Sequence, residues 1–155
     1  MRDNSEHLPI RVLFLCTHNS ARSQMAEGLL CQYSGGRVAV FSAGTDPRPV
    51  RPEAVEVMQR MGIDISQQQS KHLDTLQSEP FDYVVTVCDQ VYEVCPDYPG
   101  NPVRMHWGLP DPSGVDAADA DRKRAFQQVA HLLVEHVRTL LLLIEQHPRS
   151  QQAAR

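Results

Sequence analysis

Near its start the chain reads Arg11-Val-Leu-Phe-Leu-Cys16-Thr17-His18-Asn19-Ser20-Ala21-Arg22-Ser23. An apolar run ends on a cysteine, five small or polar residues follow, and an arginine and a hydroxyl residue lead into Gln24-Met-Ala-Glu-Gly-Leu-Leu30. This order delivers a thiol from a strand into a tight loop at a helix N-terminus. Five residues let backbone N–H groups curl round a tetrahedral anion, and the guanidinium closes the ring as a two-pronged donor. Thr17, His18, Asn19, Ser20, Ala21, Arg22 and Ser23 are therefore the candidate oxyanion-binding residues, and Cys16 the candidate nucleophile. The positive surroundings are expected to lower the thiol pKa and keep Cys16 as thiolate, the form that attacks. A plain surface cation at Arg22 would oppose the helix dipole unless an anion were present. Ser23 has two readings, a helix cap or a hydrogen-bond donor to the Cys16 thiolate.

Outward from this stretch, strands and helices alternate. Val12–Leu15 is a strand apolar enough to be buried on both faces. A helix from about Ser23 to Tyr33 is stopped by Gly35-Gly36. Val38–Ser42 is a second strand, a proline-rich loop covers 47–52, and Pro52 opens a helix running to Met61. A brief helix is expected at 72–77, a third strand at Tyr83–Cys88, and a long loop with Pro96, Pro99, Gly100 and Pro102 at 89–102. Val103–Trp107 is the fourth strand, and 108–114 a loop. A long helix from about Ala117 to Gln146 places Phe126, Val129, Leu133, Val137, Leu140 and Ile144 at spacings of three or four. The pattern predicts an α/β fold, a three-layer sandwich with a four-stranded parallel sheet and helices on both faces. One domain is expected over 8–147, with 1–7 and 148–155 as loose tails. Ligands of such sheets sit beyond the carboxyl ends of the strands. Cys16 and Cys88 both end strands, so they are expected at one edge although 72 residues separate them.

The 155 residues carry a formal net charge of -4, with 41% hydrophobic and 22% charged residues. That mild acidity argues against nucleic acid or an anionic membrane surface as a partner. No apolar run approaches the roughly 20 residues of a membrane span. The first residues lack the apolar core of a signal peptide, so a cytoplasmic protein is expected. Four cysteines stand at 16, 31, 88 and 95. In a reducing compartment reactive thiols are a better reading than a disulfide framework. No bound metal is expected, because there is no C-x2-C pair, the 88–95 gap is too wide and the histidines are scattered. Cys31 lies on an apolar helical stretch and is expected in the core, as is Trp107. Asp111-Pro112 reads by itself as a turn.

Cys16-x5-Arg22-Ser23 followed by Gln-Met-Ala-Glu-Gly resembles the arsenate reductases built on the low-molecular-weight protein tyrosine phosphatase fold. The likeness continues through Phe41-Ser-Ala-Gly44, Asp64-Ile-Ser66, Val84-Val-Thr-Val-Cys88, Cys95-Pro96 and His106-Trp-Gly108 to Asp111-Pro112, and spans roughly residues 10–145. The pair Cys88 and Cys95 is similar to that of the thioredoxin-coupled branch. The resemblance implies that Cys16 attacks arsenate with Asp111 as general acid, that Cys88 attacks Cys16 to release arsenite, and that Cys95 attacks Cys88. It implies arsenate as substrate with phosphate or sulfate as mimic, electrons from thioredoxin or a related thiol, and no bound cofactor; nothing in the chain compels more than a monomer. The catalytic set implied is thus Cys16, Arg22, Cys88, Cys95 and Asp111. Some relatives bind potassium through residues matching Asn19, Glu27 and Ser42 with an aspartate where this chain has Lys71, so a lysine ammonium is expected to replace the ion. Two other functions compete. One is a phosphatase working through a Cys16 phosphoenzyme, which would want tyrosines where Ser113-Gly114 follow Asp111-Pro112. The other is a non-catalytic oxyanion or redox sensor.

Overall fold

The computed structural model describes residues 8–89, 95–114 and 118–147. The expected tails, the middle of the 89–102 loop and Ala117 lie outside those residues. β1 (Ile10–Cys16) occupies the middle of the sheet because its side chains from Val12 onward are buried on both faces. It pairs in parallel with β2 (Val38–Gly44) on one side and β3 (Tyr83–Thr86) on the other. β4 (Val103–His106) adds to β3 at the edge, giving the order β2-β1-β3-β4. The architecture is a four-stranded, all-parallel α/β sandwich.

Register sets the site. Cys16 lies opposite Gly44, and Leu15 opposite Thr86. The Val87 N–H still donates to the Leu15 carbonyl at 2.9 Å. Cys88 therefore follows one residue beyond the level of Cys16, at the same edge of the sheet. The third strand ends earlier than its sequence suggests, since the ladder stops at Thr86.

α1 (Arg22–Tyr33), α2 (Pro52–Arg60) and α3 (Asp119–Gln146) pack on one another. The seam of α3 is the one its spacing predicts: Phe126, Val129, Ala130, Leu133, Val137, Leu140 and Ile144 are buried. Trp107 is buried too, with its ring 5.5 Å from Phe14 and stacked at 4.9 Å on His136 of α3. Among the described residues the other side of the sheet carries Phe41, Phe81 and Tyr98 in edge-to-face contact, and a 3-10 turn at Leu73–Leu76. No helix among the described residues is long and apolar enough to cross a membrane.

Cys31 corrects an expectation: it is exposed, not core. α1 buries Met25, Ala26, Leu29 and Leu30, and one further residue is about 100° round the helix, which turns Cys31 outward.

Gly44 explains the glycine of Phe41-Ser-Ala-Gly44. A Cβ there would lie 2.5 Å from the Thr17 carbonyl oxygen and 2.7 Å from that of Cys16. Both are backbone atoms of the loop after β1, which cannot step aside independently. Gly44→Ala is expected to cost about 1–3 kcal/mol of stability in chemical denaturation and to weaken phosphate binding, because the loop must shift. Unchanged stability and phosphate affinity would show that the close approach is unimportant.

Candidate active site

The loop from Thr17 to Ala21 turns every carbonyl away from its centre. The Thr17 carbonyl accepts from the Asp46 N–H at 2.8 Å, His18 from the Arg48 N–H at 2.9 Å, and Ser20 from the Arg51 N–H at 2.8 Å. Ala21 accepts from the Met25 N–H at 2.9 Å, which is the first turn of α1. Asn19 accepts from the Gln24 amide at 2.9 Å and the Ser70 hydroxyl at 2.7 Å. In a trans peptide the N–H lies opposite the C=O. Outward carbonyls therefore turn the following amides, those of His18 through Arg22, toward the inside. α1 adds its own first N–H groups, for its cap residue Ala21 offers no side-chain hydrogen bond. The seven expected oxyanion-binding residues thus form one cradle.

Asn19 is its keystone. It is fully buried at φ 49°, a left-handed conformation that asparagine tolerates better than most residues. Its carboxamide donates to Ser23 Oγ at 2.8 Å and accepts from the Lys71 N–H and the Gln24 amide, both at 3.0 Å. Gln24 in turn accepts from Gln68 at 2.8 Å. Ser23 lies inside the first turn of α1, so the capping role is not realised.

Arg22 is buried beside the cradle, and its Nη1 donates to the Leu109 carbonyl at 2.8 Å. Its Nη2 lies 3.9 Å from Asp111, and its Nε is buried with no protein partner. A bound tetrahedral anion would complete that donor. Asp111 caps its own turn, accepting from the Ser113 hydroxyl at 2.6 Å and N–H at 3.0 Å. Burial pushes its carboxyl up, but the Ser113 bonds, Arg22 and His18 outweigh burial and hold it below the usual carboxylate range. His18, Ser20, Arg48, Arg51, Asp111 and Ser113 help to bound a cavity of about 540 Å³ over the cradle. Among the described residues that line it there is no phenylalanine, tyrosine or tryptophan.

Cys16 and Cys88 are both buried and free of any disulfide, and Cys88 bears directly on the ionisation of Cys16. The Thr17 hydroxyl lies 3.1 Å from Cys88 Sγ. This pair overturns the expected pKa. Cys88 and burial raise the Cys16 thiol far above its ordinary value, against the opposing pull of Arg22 and the Thr17 amide. Two buried thiols resist losing a proton more than a guanidinium can help.

Cys95 is not with them. It is half-buried beside β4, where Arg104 Nη1 donates to its sulfur at 3.6 Å, and burial raises its pKa. Arg104 pairs with Val84, four residues before Cys88. At a rise of about 3.3 Å per residue, that places the anchoring backbone roughly 13 Å down the sheet from Cys88.

Lys71 also enters the site. Its ammonium donates to the Ser42 carbonyl at 2.8 Å and the Gln69 carbonyl at 3.1 Å. The Ser42 hydroxyl donates to Glu27 at 2.9 Å. Burial holds the Glu27 carboxyl above its usual range, against the opposing pull of the Lys71 charge and the Ser42 bond. A potassium ion does not fit beside an ammonium that already uses these acceptors. Sequence reading missed the supports: Gln68 and the amides of Asp46, Arg48 and Arg51 carry no local signature, although Gln24 stands within the motif that follows Arg22.

Residues 11–152 match the Low molecular weight phosphotyrosine protein phosphatase family. An arsenate reductase from Halalkalibacterium halodurans is 41% identical over 83% of this chain and 92% of its own length. A solved arsenate reductase in the phosphate binding state superposes with a TM-score of 0.71 at 30% identity, covering 87% of this chain and 98% of the other. A thioredoxin-dependent arsenate reductase from Corynebacterium glutamicum gives a TM-score of 0.70 at 34% identity, over 89% of this chain and 63% of the other.

Two measurements check this site. Peptide-resolved iodoacetamide labelling of ligand-free protein should show Cys16 reacting slowly at neutral pH, with a midpoint above the ordinary thiol value of about 8.5. Cys88→Ala removes the largest cause and should lower the midpoint and speed labelling at pH 7; a wild-type midpoint below the ordinary value would contradict the pairing. Phosphate affinity by calorimetry should agree within about twofold, less than 0.5 kcal/mol, in potassium and sodium salts. A clear preference for potassium would refute the role given to Lys71.

Proposed function

The chain belongs to the low molecular weight phosphotyrosine protein phosphatase family, and within it we propose that it reduces arsenate to arsenite through Cys16, Cys88 and Cys95. The observation that carries this reading is a second buried thiol, Cys88, at the same sheet edge as Cys16 and acting on its ionisation. Hydrolysis of a phosphoester needs one thiol and an acid. Reduction needs a second sulfur within reach of the first.

Arsenate enters the cradle, where the inward amides and the unpartnered Arg22 Nε receive its oxygens. The Cys16 proton moves to the oxyanion, and the thiolate attacks As(V). Asp111 is ionised before substrate arrives, so it acts as general acid only after taking a proton brought by the substrate; that proton then leaves with the displaced hydroxide as water. Asn19 holds Ser23, which leaves the Ser23 hydroxyl hydrogen available to the Cys16 thiolate.

Cys88, its thiolate supported by the Thr17 hydroxyl, then attacks Cys16 Sγ. The S–As bond breaks with its electron pair on arsenic, which leaves as arsenite, and a Cys16–Cys88 disulfide remains. Cys95 attacks Cys88, and Cys16 departs as thiolate. The resulting Cys88–Cys95 disulfide is reduced by an external dithiol, for which thioredoxin is the candidate, as with the Corynebacterium relative. We assign the protein to a reducing cytoplasm, where these thiols stay free, and to action as a monomer that carries no bound cofactor. A phosphatase activity is the weaker reading, since the described residues of the cavity rim include no aromatic side chain on which an aryl group could stack.

The test is arsenate-dependent NADPH consumption with thioredoxin and its reductase. Cys16→Ser, Cys88→Ser and Cys95→Ser should each abolish multiple turnover, and Asp111→Asn should slow it by about 10²–10⁴-fold. Sustained turnover by Cys88→Ser would refute the relay. Phosphoester hydrolysis that survives Cys88→Ser while arsenate reduction is absent from the wild type would show a phosphatase.

A further inference from the structure

A chain of two hydrogen bonds runs from the sheet to the residue directly after Cys88. Thr86 Oγ1 and His106 Nδ1 are 2.7 Å apart, and His106 Nε2 lies 2.7 Å from Asp89 Oδ1. The carboxylate can only accept, so Nε2 carries the proton and donates. Thr86 and His106 are register partners at the ends of β3 and β4, which fixes the imidazole to the sheet. The Trp107 N–H donates to the Thr86 carbonyl at 2.8 Å and holds the end of β4 in place. The Asp89 side chain is 88% exposed and that of His106 only 26%. An almost free carboxylate is thus tied to a ring held from below.

Cys88 consequently has the Thr17 hydroxyl on its sulfur and His106 holding the next residue. The relay asks two incompatible things of it. It must first stay within reach of Cys16. It must then approach Cys95, whose sulfur lies by Arg104, until the Cα atoms are within roughly 4.4–6.8 Å, the span of a disulfide. With both strand ends fixed, the bond from Asp89 to His106 is the exposed one, and water can replace it.

Resting on the relay reading above, we propose that His106 is a positioning residue whose bond to Asp89 latches Cys88 against Cys16 for the first sulfur transfer and releases it for the second. The latch touches neither substrate nor reacting sulfur. It acts by setting how much time Cys88 spends facing Cys16.

The test compares wild type with Asp89→Ala, His106→Ala and Asp89→Asn, whose amide oxygen keeps an acceptor. In ligand-free reduced protein, peptide-resolved labelling of Cys88 by iodoacetamide should rise about fivefold or more in the two alanine variants, the scale of one lost charge-assisted hydrogen bond. Asp89→Asn should recover much of the protection, and Cys95 labelling should not move. In rapid-quench single turnovers with arsenate, Cys16–Cys88 bond formation should slow in Asp89→Ala while its conversion to Cys88–Cys95 should not. Unchanged Cys88 labelling overturns the latch. So does an equal rise at Cys16, Cys88 and Cys95, which would mean that the pair only stabilises the fold. Because labelling needs no arsenate, it decides the latch even if the wild type proves not to reduce arsenate, a result that would sink the function and not the contact.

Discussion

All five carbonyls of the Thr17–Ala21 loop point outward, and the site depends on their staying there. Each is pinned by a donor from a different place: the Asp46, Arg48 and Arg51 amides, the Ser70 hydroxyl with the Gln24 amide, and the first turn of α1. A loop with inward amides is a site for negative charge, and without these pins it would relax to satisfy its own polar groups. Asn19 bears the conformational cost of the bend, and Gly44 leaves the space into which the loop backbone presses. The inward turn of these amides is thus a property of the backbone, set before any side-chain chemistry.

The sulfur chemistry is layered onto that cradle with a restraint attached. Cys16 is not the ready thiolate that a positive loop suggests, because its neighbour Cys88 and its burial both raise the thiol pKa. In the proposed relay, the same buried neighbour that holds Cys16 back supplies the second sulfur. Cys95, by contrast, stands apart beside Arg104. In the proposed relay this arrangement would suit the first sulfur transfer, and the second would need Cys88 and Cys95 brought together.

Much of this was legible in the sequence. Apolar runs ending in cysteine located β1 and β3, the three-and-four spacing gave the seam of α3, and the Cys16-x5-Arg22 spacing gave the cradle. Other features were hidden for physical reasons. α1 buries polar residues such as Ser23 and Gln24 along with its apolar ones, so composition could not say that Cys31 faces out. The Cys16 pKa depends on burial and on a thiol 72 residues away, neither of which a local motif encodes. The Thr86–His106–Asp89 chain arises only when two strands pair in register. Asp111 in Asp-Pro reads as a turn, and it is indeed one; only its closeness to Arg22 marks it as more.

The central claim, that one oxyanion cradle feeds a three-sulfur relay, is tested most directly by a single turnover without external reductant. Fully reduced protein is mixed with excess arsenate, quenched in acid, and analysed for arsenite and for disulfide-linked peptides. The account predicts one equivalent of arsenite per chain, with Cys88 and Cys95 bridged and Cys16 free. No arsenite, or arsenite formed with Cys88 and Cys95 both still reduced, would contradict it.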